Sequence, residues 1–579
     1  MIAACWRPDG APTKSEAWLR LLASAEQSPR QLTEKGRSVV AAWSGAACDG
    51  PMVSMGRVDG ALTLPATLAA VSALRGSYSL LAGGDEGLLL ARSSMGGCPL
   101  FFAQHRGEVL ACSRMAPLLA AFPHRAKPRA AGITTLVAGT PPPTVAETLF
   151  PSISRVAPCE ALCFGPGGRE RMEQPLPDLS QLDGLGGEEL ARWLWDEVRA
   201  AVRRSIDGKA RVGVLAGGGV DSSGVLAAAL AEARGAAPKE VFAVTLDFAS
   251  AGDDRPYMRD LASALGIVPV RVRPRAAAPF LRSALMMDEL PYPTPSGPLD
   301  EMMARTAVEH GADVLLTGAW ADEILYGDQR ARALEFLRKP VRALRAAARM
   351  QVPWESTARE RVASWIVQPL MRPLVPRSVL RRRHARRDAG ERWLGPRGHA
   401  ELARVRATSS GPAPFHRSPG QRLRRYATSA LACDVADGRG QLNAVTGCVQ
   451  VDPFGDPALV AFMTRIPPMM LSHGDQFRGL LRLALKGAVP DTVRTRPDKA
   501  WFEPAFAELV EAGGGLSAFG DLLEARTLVG AGLVNQHEFA AVVRRLMAAP
   551  ASQESAALWA PVWRVLAAEA FVQRFGMEA

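Results

Sequence analysis

The chain lacks the cysteine spacings, apolar runs and leader features that mark several classes of protein. Its eight cysteines include no C-x-x-C pair, which argues against a structural zinc site and a disulfide framework. No apolar run reaches the length of a membrane span, and residues 1–10 lack a basic start followed by an apolar core. We therefore expect no membrane partner and no export, and predict a cytoplasmic protein.

Aromatic residues are also scarce, at 6% of 579 residues. The net charge is +11 and the sequence pI is about 9.6, a balance that favours an acidic partner such as a nucleotide, a peptide or a nucleic acid. A nucleic acid is disfavoured because no segment interleaves aromatic and basic residues as a base-stacking surface does. The length predicts two domains, or three, each with its own core.

The glycine-rich segment 211–230 lacks the signatures of the two commonest phosphate loops. No Lys-Ser or Lys-Thr follows its glycines, as a P-loop requires, and Ser222 stands where the dinucleotide fingerprint needs a glycine. The pattern predicts a buried strand, a glycine turn and a helix opening on Asp221. Such a turn lets the backbone approach an anion, which the free N–H groups of the helix favour. The alternative is a glycine turn in an unrelated α/β domain.

A second apolar segment, residues 312–317, runs into a polar turn with Asp322 and Glu323. We expect both turns at the carboxyl edge of one parallel sheet, where open α/β sheets bind ligands. Asp221 and Asp322 beside a triphosphate would suit Mg²⁺, which prefers a few oxygens plus phosphate and water. The alternative is an ordinary helix start, since acidic residues are common in a first turn.

The first turn, 217–222, is close to the S-G-G-x-D-S loop of enzymes that split ATP into AMP and pyrophosphate, with Gly217 replacing the first serine. The pair of loops resembles the asparagine synthetase superfamily. Five further segments are similar to other motifs of that family, in the same order along the chain: 241–248, 253–257, 451–459, 478–490 and 496–502. The resemblance implies an α/β parallel-sheet ATP pyrophosphatase (synthetase) domain that uses ATP and Mg²⁺.

The resemblance also implies roles for individual residues. Asp221 and Asp322 would hold Mg²⁺, and Lys499 and Glu323 would be catalytic, with Lys499 facing the transition state. Nucleotide binding is assigned to Leu215, Gly217, Gly218, Gly219, Asp221, Ser222, Ser223, Leu246 and Gly318. For Lys499 the alternative is a solvated loop lysine. A non-catalytic peptide-binding scaffold also stays open, because Gly217 and Ala319 depart from the family pattern.

Short strands separated by turn residues in residues 1–180 predict an antiparallel sheet. They resemble the glutaminase-like (Ntn-type) α+β sandwich domain that precedes the synthetase domain, here residues 181–579. A working glutaminase needs a cysteine at the mature N-terminus, whose α-amine acts as base, whereas this chain begins Met1-Ile2. We therefore predict that the domain makes no ammonia and that Cys5 is a buried small residue.

If ammonia is not the nucleophile, another amine must attack the adenylate. Two branches of the superfamily without the cysteine form amides within one molecule, the β-lactam synthetases and the lasso peptide cyclases. An arginine-rich helical insert near 330–445 carries Trp354, Trp365 and Trp393, and its segment 391–394 resembles the lasso cyclase pattern more than a compact β-lactam synthetase. The alternative for the arginine runs at 379–387 and 422–425 is a solvated helix face.

The lasso resemblance implies a concrete reaction. The chain would adenylate an Asp or Glu side chain of a ribosomal precursor peptide, and the peptide's N-terminal amine would close a macrolactam. A leader peptidase and a leader-binding protein are the implied partners, and residues 381–387 of the insert would help to hold the precursor. A β-lactam synthetase-like or other AMP-forming amide synthetase remains an alternative, as does a tRNA-modifying pyrophosphate-loop enzyme.

Overall fold

The structure is a computed structural model that describes residues 1–8, 15–25, 28–35, 37–42, 47–49, 52–56, 71, 74, 76–85, 87–93, 95, 98–123, 126–140, 142–173, 182, 184–234, 239–249, 253–325, 329–352, 357–371, 374–375, 391–408, 426, 429–548 and 553–578. An antiparallel region ends at Glu173, and a region with a parallel sheet begins at Gly187. The predicted domain limit at 180/181 lies between these two elements and stays a prediction.

The N-terminal region is a sandwich of two antiparallel sheets. Its strands are β1 (Ile2–Trp6), β2 (Gln31–Lys35), β3 (Ser38–Ala42), β4 (Ala47–Asp49), β5 (Met52–Gly56), β6 (Tyr78–Gly83), β7 (Leu88–Arg92), β8 (Phe101–His105), β9 (Glu108–Cys112), β10 (Ser154–Arg155), β11 (Glu160–Gly165) and β12 (Gly168–Glu173). The sheet orders are β10-β8-β9-β1-β3-β2 and β12-β11-β7-β6-β5-β4. Among the described residues of this region, three helices accompany the sheets: α1 (Glu16–Ala23), α2 (Met115–Ala121) and α3 (Ala130–Ala138).

Strand β1 shows why this sandwich holds together. Ile2, Ala4 and Trp6 point between the sheets and pack in the sandwich core. Ala3 and Cys5 point to the opposite face, into the core that includes the helices. All five positions are buried, because successive side chains of a strand alternate between two covered faces.

The C-terminal region is built on a five-stranded parallel sheet. Its strands and a small hairpin are β13 (Arg211–Leu215), β14 (Glu240–Leu246), β15 (Val270–Val272), the hairpin strands β16 (Met286–Met287) and β17 (Leu290–Pro291), β18 (Val314–Leu316) and β19 (Gln450–Val451). The sheet order is β15-β14-β13-β18-β19, so the chain turns to opposite sides of β13. Ligands bind at such a switch point, outside the carboxyl ends of the strands.

Helices cover this sheet and extend beyond it. They are α4 (Gly187–Ser205), α5 (Val220–Glu232), α6 (Asp254–Leu265), α7 (Gly297–Glu309), α8 (Ala321–Leu325), α9 (Gln329–Arg338), α10 (Pro340–Arg349), α11 (Ala358–Val362), α12 (Gln368–Met371), α13 (Pro396–Thr408), α14 (Ala430–Thr446), α15 (Pro457–Met463), α16 (Gly479–Ala484), α17 (Asp491–Arg494), α18 (Glu503–Ala512), α19 (Arg526–Gly530), α20 (Gln536–Ala548) and α21 (Gln553–Phe575). The described part of the insert is helical from α9 to α13, and Trp365 packs there in a small core of its own with Ala343 and Met350.

The sandwich and the C-terminal helices share one hydrophobic core. Phe150, which follows α3, stacks edge-on against Phe571 and Phe575 of α21, with ring centroids 5.5 Å apart in both pairs. The two regions are therefore packed against each other rather than joined by a linker alone.

Candidate nucleotide and metal site

The loop after β13 forms a backbone cradle at the switch point. Gly218 has φ +79°, and a Cβ at this position would lie 2.9 Å from the backbone nitrogen of Met258, so only glycine fits without strain. Gly219 caps α5 and supplies no side-chain hydrogen bond. The first N–H groups of a 13-residue helix therefore remain available to an anion.

The departure at Gly217 has a physical reason. A Cβ at Gly217 would lie 2.7 Å from Oδ2 of Asp254, a distance that real Cβ atoms avoid. Asp254 is held in place by the buried guanidinium of Arg496, at 2.5 Å, and Arg496 also lies 4.1 Å over the ring of Tyr257. Burial raises the pKa of Asp254. The ion pair between Asp254 and Arg496 therefore occupies the space that a serine side chain at position 217 would need.

The second loop packs onto the first. A Cβ at Gly318 would lie 3.0 Å from the backbone nitrogen of Ser222, so the absence of a side chain lets the two turns touch. Trp320 follows with φ +73°, an uncommon conformation for a bulky residue, and its indole N–H donates to Asp452 Oδ2 at 3.1 Å. This anchored turn starts α8 and presents Asp322.

The structure brings the two predicted metal ligands to the same side chain. The guanidinium of Arg478 donates to Asp221 through Nη1 and forms an ion pair with Asp322 through Nη2. Burial raises the pKa of Asp221, while Arg478 opposes that shift. The other carboxylate oxygen of Asp221 is buried and has no hydrogen-bond partner.

These carboxylates fit a divalent cation completed by substrate oxygens. Across the described residues, no three His, Cys, Asp or Glu side chains form a metal cluster, so this part of the chain supplies no closed cage. Mg²⁺ commonly uses one or two carboxylates together with phosphate and water. The unpartnered oxygen of Asp221 is the kind of donor that such an ion would take up.

Lys499 lies beside this acidic pair. Its Nζ is 3.5 Å from Asp322 Oδ2, and its side chain is about half exposed. Desolvation and the neighbouring Arg478 lower the pKa of Lys499, and Asp221 and Glu323 oppose that shift. A cation in this place can approach the phosphates of a nucleotide held in the loop.

A cleft of about 270 Å³ runs from the loop towards β14. We call it the switch-point cleft. Its polar lining includes the basic residues Arg478, Arg482, Arg496 and Lys499 and the carboxylates Asp221, Asp254 and Asp498. Its apolar lining includes Leu215, Val244, Leu246, Met303 and Phe502. Cations suit a triphosphate, and apolar walls suit a flat base.

The predicted residues divide into those that line the switch-point cleft and those that support it. The lining residues are Leu215, Gly217, Gly219, Asp221, Ser222, Leu246 and Lys499. Gly218 and Gly318 act through the backbone fit described above. Ser223 is fully buried, with a hydroxyl that makes no hydrogen bond, and Asp322 reaches the cleft through Arg478 and Lys499.

Glu323 faces a tyrosine of the insert. Burial and a hydrogen bond to Glu323 raise the pKa of Tyr426, whose ring meets Trp320 edge-on at 6.2 Å. Glu323 is also close enough to Lys499 to raise its pKa. The carboxylate therefore lies between the cleft and the insert.

Segment 391–394 of the insert, which contains Trp393, packs against α20. Trp393 is fully buried and meets Phe539 edge-on at 6.1 Å. Its carbonyl accepts the N–H of Asn535 at 2.7 Å, and Glu391 pairs with Arg406. The element thus fixes the insert to α20. Trp354 and the arginine runs at 379–387 and 422–425 lie outside the described residues.

Cys5 lies in the middle of β1 and is fully buried. Its thiol is 3.3 Å from Glu108 Oε1. Burial and this carboxylate raise the pKa of the Cys5 thiol well above its usual range. A reactive cysteine needs a lowered pKa, so Cys5 is a packing residue, as the sequence predicted.

The family comparison covers this whole site. A family model described as asparagine synthase matches residues 194–573, which include both loops and Lys499. The chain belongs to this family. Asparagine synthases form amides with ATP and release AMP, and the chain is an AMP-forming carbon–nitrogen ligase of this kind. Enzymes of the family use ATP, typically with Mg²⁺.

The similar solved structures share little sequence with this chain. No curated protein matches the chain. One similar solved structure is an allosteric regulatory enzyme of purine biosynthesis, at 10% identity and a TM-score of 0.20, covering 47% of this chain and 80% of that one. Another is glutamine phosphoribosylpyrophosphate amidotransferase from B. subtilis, at 8% identity and a TM-score of 0.20, covering 55% and 81%. Within the described helices, none is long and apolar enough to cross a membrane.

Sequence reasoning gave no role to the basic residues that complete the cleft. Arg478 and Arg496 both lie in segments that resemble the family, yet their partners Asp221 and Asp254 are 257 and 242 residues away along the chain. Both side chains are more than nine-tenths buried. An arginine next to an apolar run in a family motif is the available signal, because a buried guanidinium requires a carboxylate partner.

Proposed function

We propose that this asparagine synthase family member closes a macrolactam in a ribosomal peptide, joining an Asp or Glu side chain to the peptide's own N-terminal amine. The observation that carries the proposal is the position of Cys5. A buried thiol with a raised pKa offers no glutaminase nucleophile, and we infer that the amine comes from the peptide substrate itself. We infer that the sandwich is a glutaminase-type domain kept for its structural role.

The first half of the reaction uses the switch-point cleft. ATP lies with its β- and γ-phosphates on the loop 217–223, where backbone N–H groups and Arg478 offset their charge. Asp221 and Asp322 would hold Mg²⁺, which supplies charge neutralisation on the phosphates. The substrate carboxylate attacks the α-phosphorus, the bond to the β-phosphate oxygen breaks, and pyrophosphate leaves. Lys499 stabilises the charge that develops there.

The second half uses the acidic residue between the cleft and the insert. The peptide's N-terminal amine attacks the acyl carbon, the bond to the AMP oxygen breaks, and AMP leaves. The attacking nitrogen must lose a proton, and Glu323 would accept it. Tyr426 positions Glu323 through their hydrogen bond. Intramolecular attack gains from holding both reacting groups together.

The rim of the cleft suits a peptide better than a free amino acid. Trp501 and Phe502 adjoin Lys499 and are 54% and 51% exposed, and Phe248 packs against Phe502 with ring centroids 5.7 Å apart. Exposed aromatic rings provide contact area for a bound peptide. A leader peptidase and a leader-binding protein would deliver the core peptide with a free amine.

The test is reconstitution with a candidate precursor peptide, its leader peptidase, ATP and Mg²⁺. We expect AMP, pyrophosphate and a product lighter than the linear core by one water and resistant to carboxypeptidase. Cys5→Ala should cyclise at the wild-type rate, and glutamine should release no ammonia. ADP as the product would contradict the phosphate assignment.

Linear core peptide alone, together with cyclisation of a small β-amino acid substrate, would favour a β-lactam synthetase instead. Pyrophosphate exchange into ATP separates either enzyme from a peptide-binding scaffold, because a scaffold would show none.

A further inference from the structure

A second cavity lies between the sandwich and α14, apart from the switch-point cleft. We call it the interdomain pocket. It has a volume of about 130 Å³, several times the roughly 30 Å³ that one water occupies in the liquid. Its residues come from α2, from α3 with the segments on either side of it, from β10, from the β17 hairpin and from α14. It shares no residue with the switch-point cleft.

One face of α14 supplies the polar side of the interdomain pocket. Asp434, Asp437 and Gln441 follow each other at helical spacing and all line the cavity. Arg155 of β10 reaches across from the sandwich and holds Asp437 Oδ2 through Nε at 2.8 Å and Nη2 at 2.5 Å. Its Nη1 donates to the carbonyl oxygen of Val145 at 2.9 Å. The guanidinium is therefore committed to these partners and to Glu147 O.

Two acceptors in the interdomain pocket are left without donors. Asp437 Oδ1 and Gln441 Oε1 are buried and make no hydrogen bond, and the two residues are only 6% and 5% exposed. A third acceptor is the carboxylate of Asp434, which lies 3.6 Å from Arg155 and whose side chain is 42% exposed. The two buried acceptors need donors, since leaving each one unpaired is costly.

Charge decides which donor fits. Asp434 and Asp437 share the single charge of Arg155, and the neighbouring Arg129 and Glu147 pair with each other at 3.9 Å. The cluster therefore keeps one net negative charge. Partial desolvation raises the pKa of Asp434 to about 6, with Arg155 lowering it and Asp437 raising it, so this partly exposed carboxylate is ionised at pH 8. A water could donate hydrogen bonds here, whereas a cation also balances the charge.

The remaining lining residues described here are largely apolar, and they indicate the chemistry of the rest of the ligand. Leu136, Leu149 and Leu290 line the interdomain pocket together with Pro142, Pro143, Pro291 and Pro293. We propose that the interdomain pocket binds a small aliphatic primary amine as its ammonium ion, with the N–H donors on Asp434, Asp437 and Gln441 and the hydrocarbon against the leucine and proline walls. This site is separate from the proposed cyclisation and does not depend on it.

The test is isothermal titration of the full chain with n-butylammonium chloride at pH 8. We expect a dissociation constant on the order of a millimolar, as suits a ligand of few atoms. n-Butanol and n-butyrate match the hydrocarbon without the positive charge, and both should bind at least about tenfold more weakly. Equal binding of butanol would overturn the proposal, and so would the absence of heat with butylammonium.

Substitutions on α14 test whether butylammonium binds in the interdomain pocket. Asp434→Asn removes the charge with little change of shape and should weaken butylammonium binding about tenfold. Gln441→Met removes the amide at similar volume and should weaken it by about fivefold. Asp260→Asn removes an equal charge from the exposed side of α6 and should bind as the wild type does. Wild-type affinity in both α14 variants, with melting temperatures unchanged, would place the ammonium elsewhere and end the proposal.

Discussion

The switch-point cleft and the interdomain pocket have opposite electrostatic character. In the cleft, four basic side chains and three carboxylates, those of Asp221, Asp254 and Asp498, line a glycine turn and leave one net positive charge among the lining residues. Arg478 bridges Asp221 to Asp322 beside them. In the pocket, two acidic side chains share one arginine. The cleft thus has positive charge available to a nucleotide, and the pocket has negative charge available to an ammonium ion. The balance of basic and acidic side chains therefore suits the cleft to an anion and the pocket to a cation.

The largest expected effect is a loss of turnover when a carboxylate of the switch-point cleft is removed. Asp221→Asn removes the carboxylate that Arg478 holds and that would bind Mg²⁺. Turnover should fall by about a thousandfold, because a metal ion stabilises transition-state charge by several kcal/mol. AMP release at saturating ATP measures it. Asp260→Asn, on the exposed side of α6, is the matched control, and equal turnover in the two variants would refute the metal role.

The next largest effect is a loss of stability when the arginine of the interdomain pocket is removed. Arg155→Met leaves Asp437 buried without its cation, so the free energy of unfolding should fall by about 3 kcal/mol. Denaturant unfolding measures the change. Arg282→Met, which removes an exposed pair with Asp521, should cost less than about 1 kcal/mol. Similar losses in both variants would mean that the Arg155 pair is no stronger than a surface contact.

A smaller effect tests whether the charge of Lys499 acts on the reaction rather than on binding. Lys499→Met should lower turnover by about a hundredfold and change the affinity for ATP far less. Steady-state rates and equilibrium binding of ATP separate the two quantities. Lys486→Met, an exposed lysine after α16, should behave as the wild type does. Near-normal turnover of Lys499→Met would make it a solvated lysine.

The smallest effect concerns the departure from the family loop. Gly217→Ser places a Cβ against Asp254 Oδ2 and should lower the free energy of unfolding by about 1 kcal/mol. A Cβ at Gly219 meets nothing closer than Ser222 Oγ at 4.0 Å, so Gly219→Ser should melt near the wild-type temperature. If Gly217→Ser were the more stable variant, Asp254 would not explain the missing serine.

The sequence predicted those parts of the fold that local patterns encode. Strand-turn-helix periodicity at 211–230 predicted β13, its glycine turn and α5, and the second apolar segment predicted β18. Both turns lie at the same sheet edge, because parallel strands that are neighbours must end together. The proximity of Asp221 and Asp322 follows from that rule, and the structure joins them through Arg478.

The rest depends on contacts that no local pattern carries. Arg155 meets Asp437 across 282 residues, and neither side chain lies in a segment with a phosphate-loop or metal signature. The burial of Trp393 against Phe539 likewise depends on how the insert packs on α20. Periodicity reports which face of an element is covered but not which partner covers it. The interdomain pocket was therefore invisible to sequence reasoning.

The core shared by the sandwich and α21 constrains how this gene can change. Loss of the sandwich would uncover Phe571 and Phe575, on which Phe150 packs, and would leave Asp437 without Arg155. Natural selection for a folded ligase region therefore also preserves the sandwich, whether or not it retains a reaction of its own. A domain can persist in this way because its neighbour folds against it.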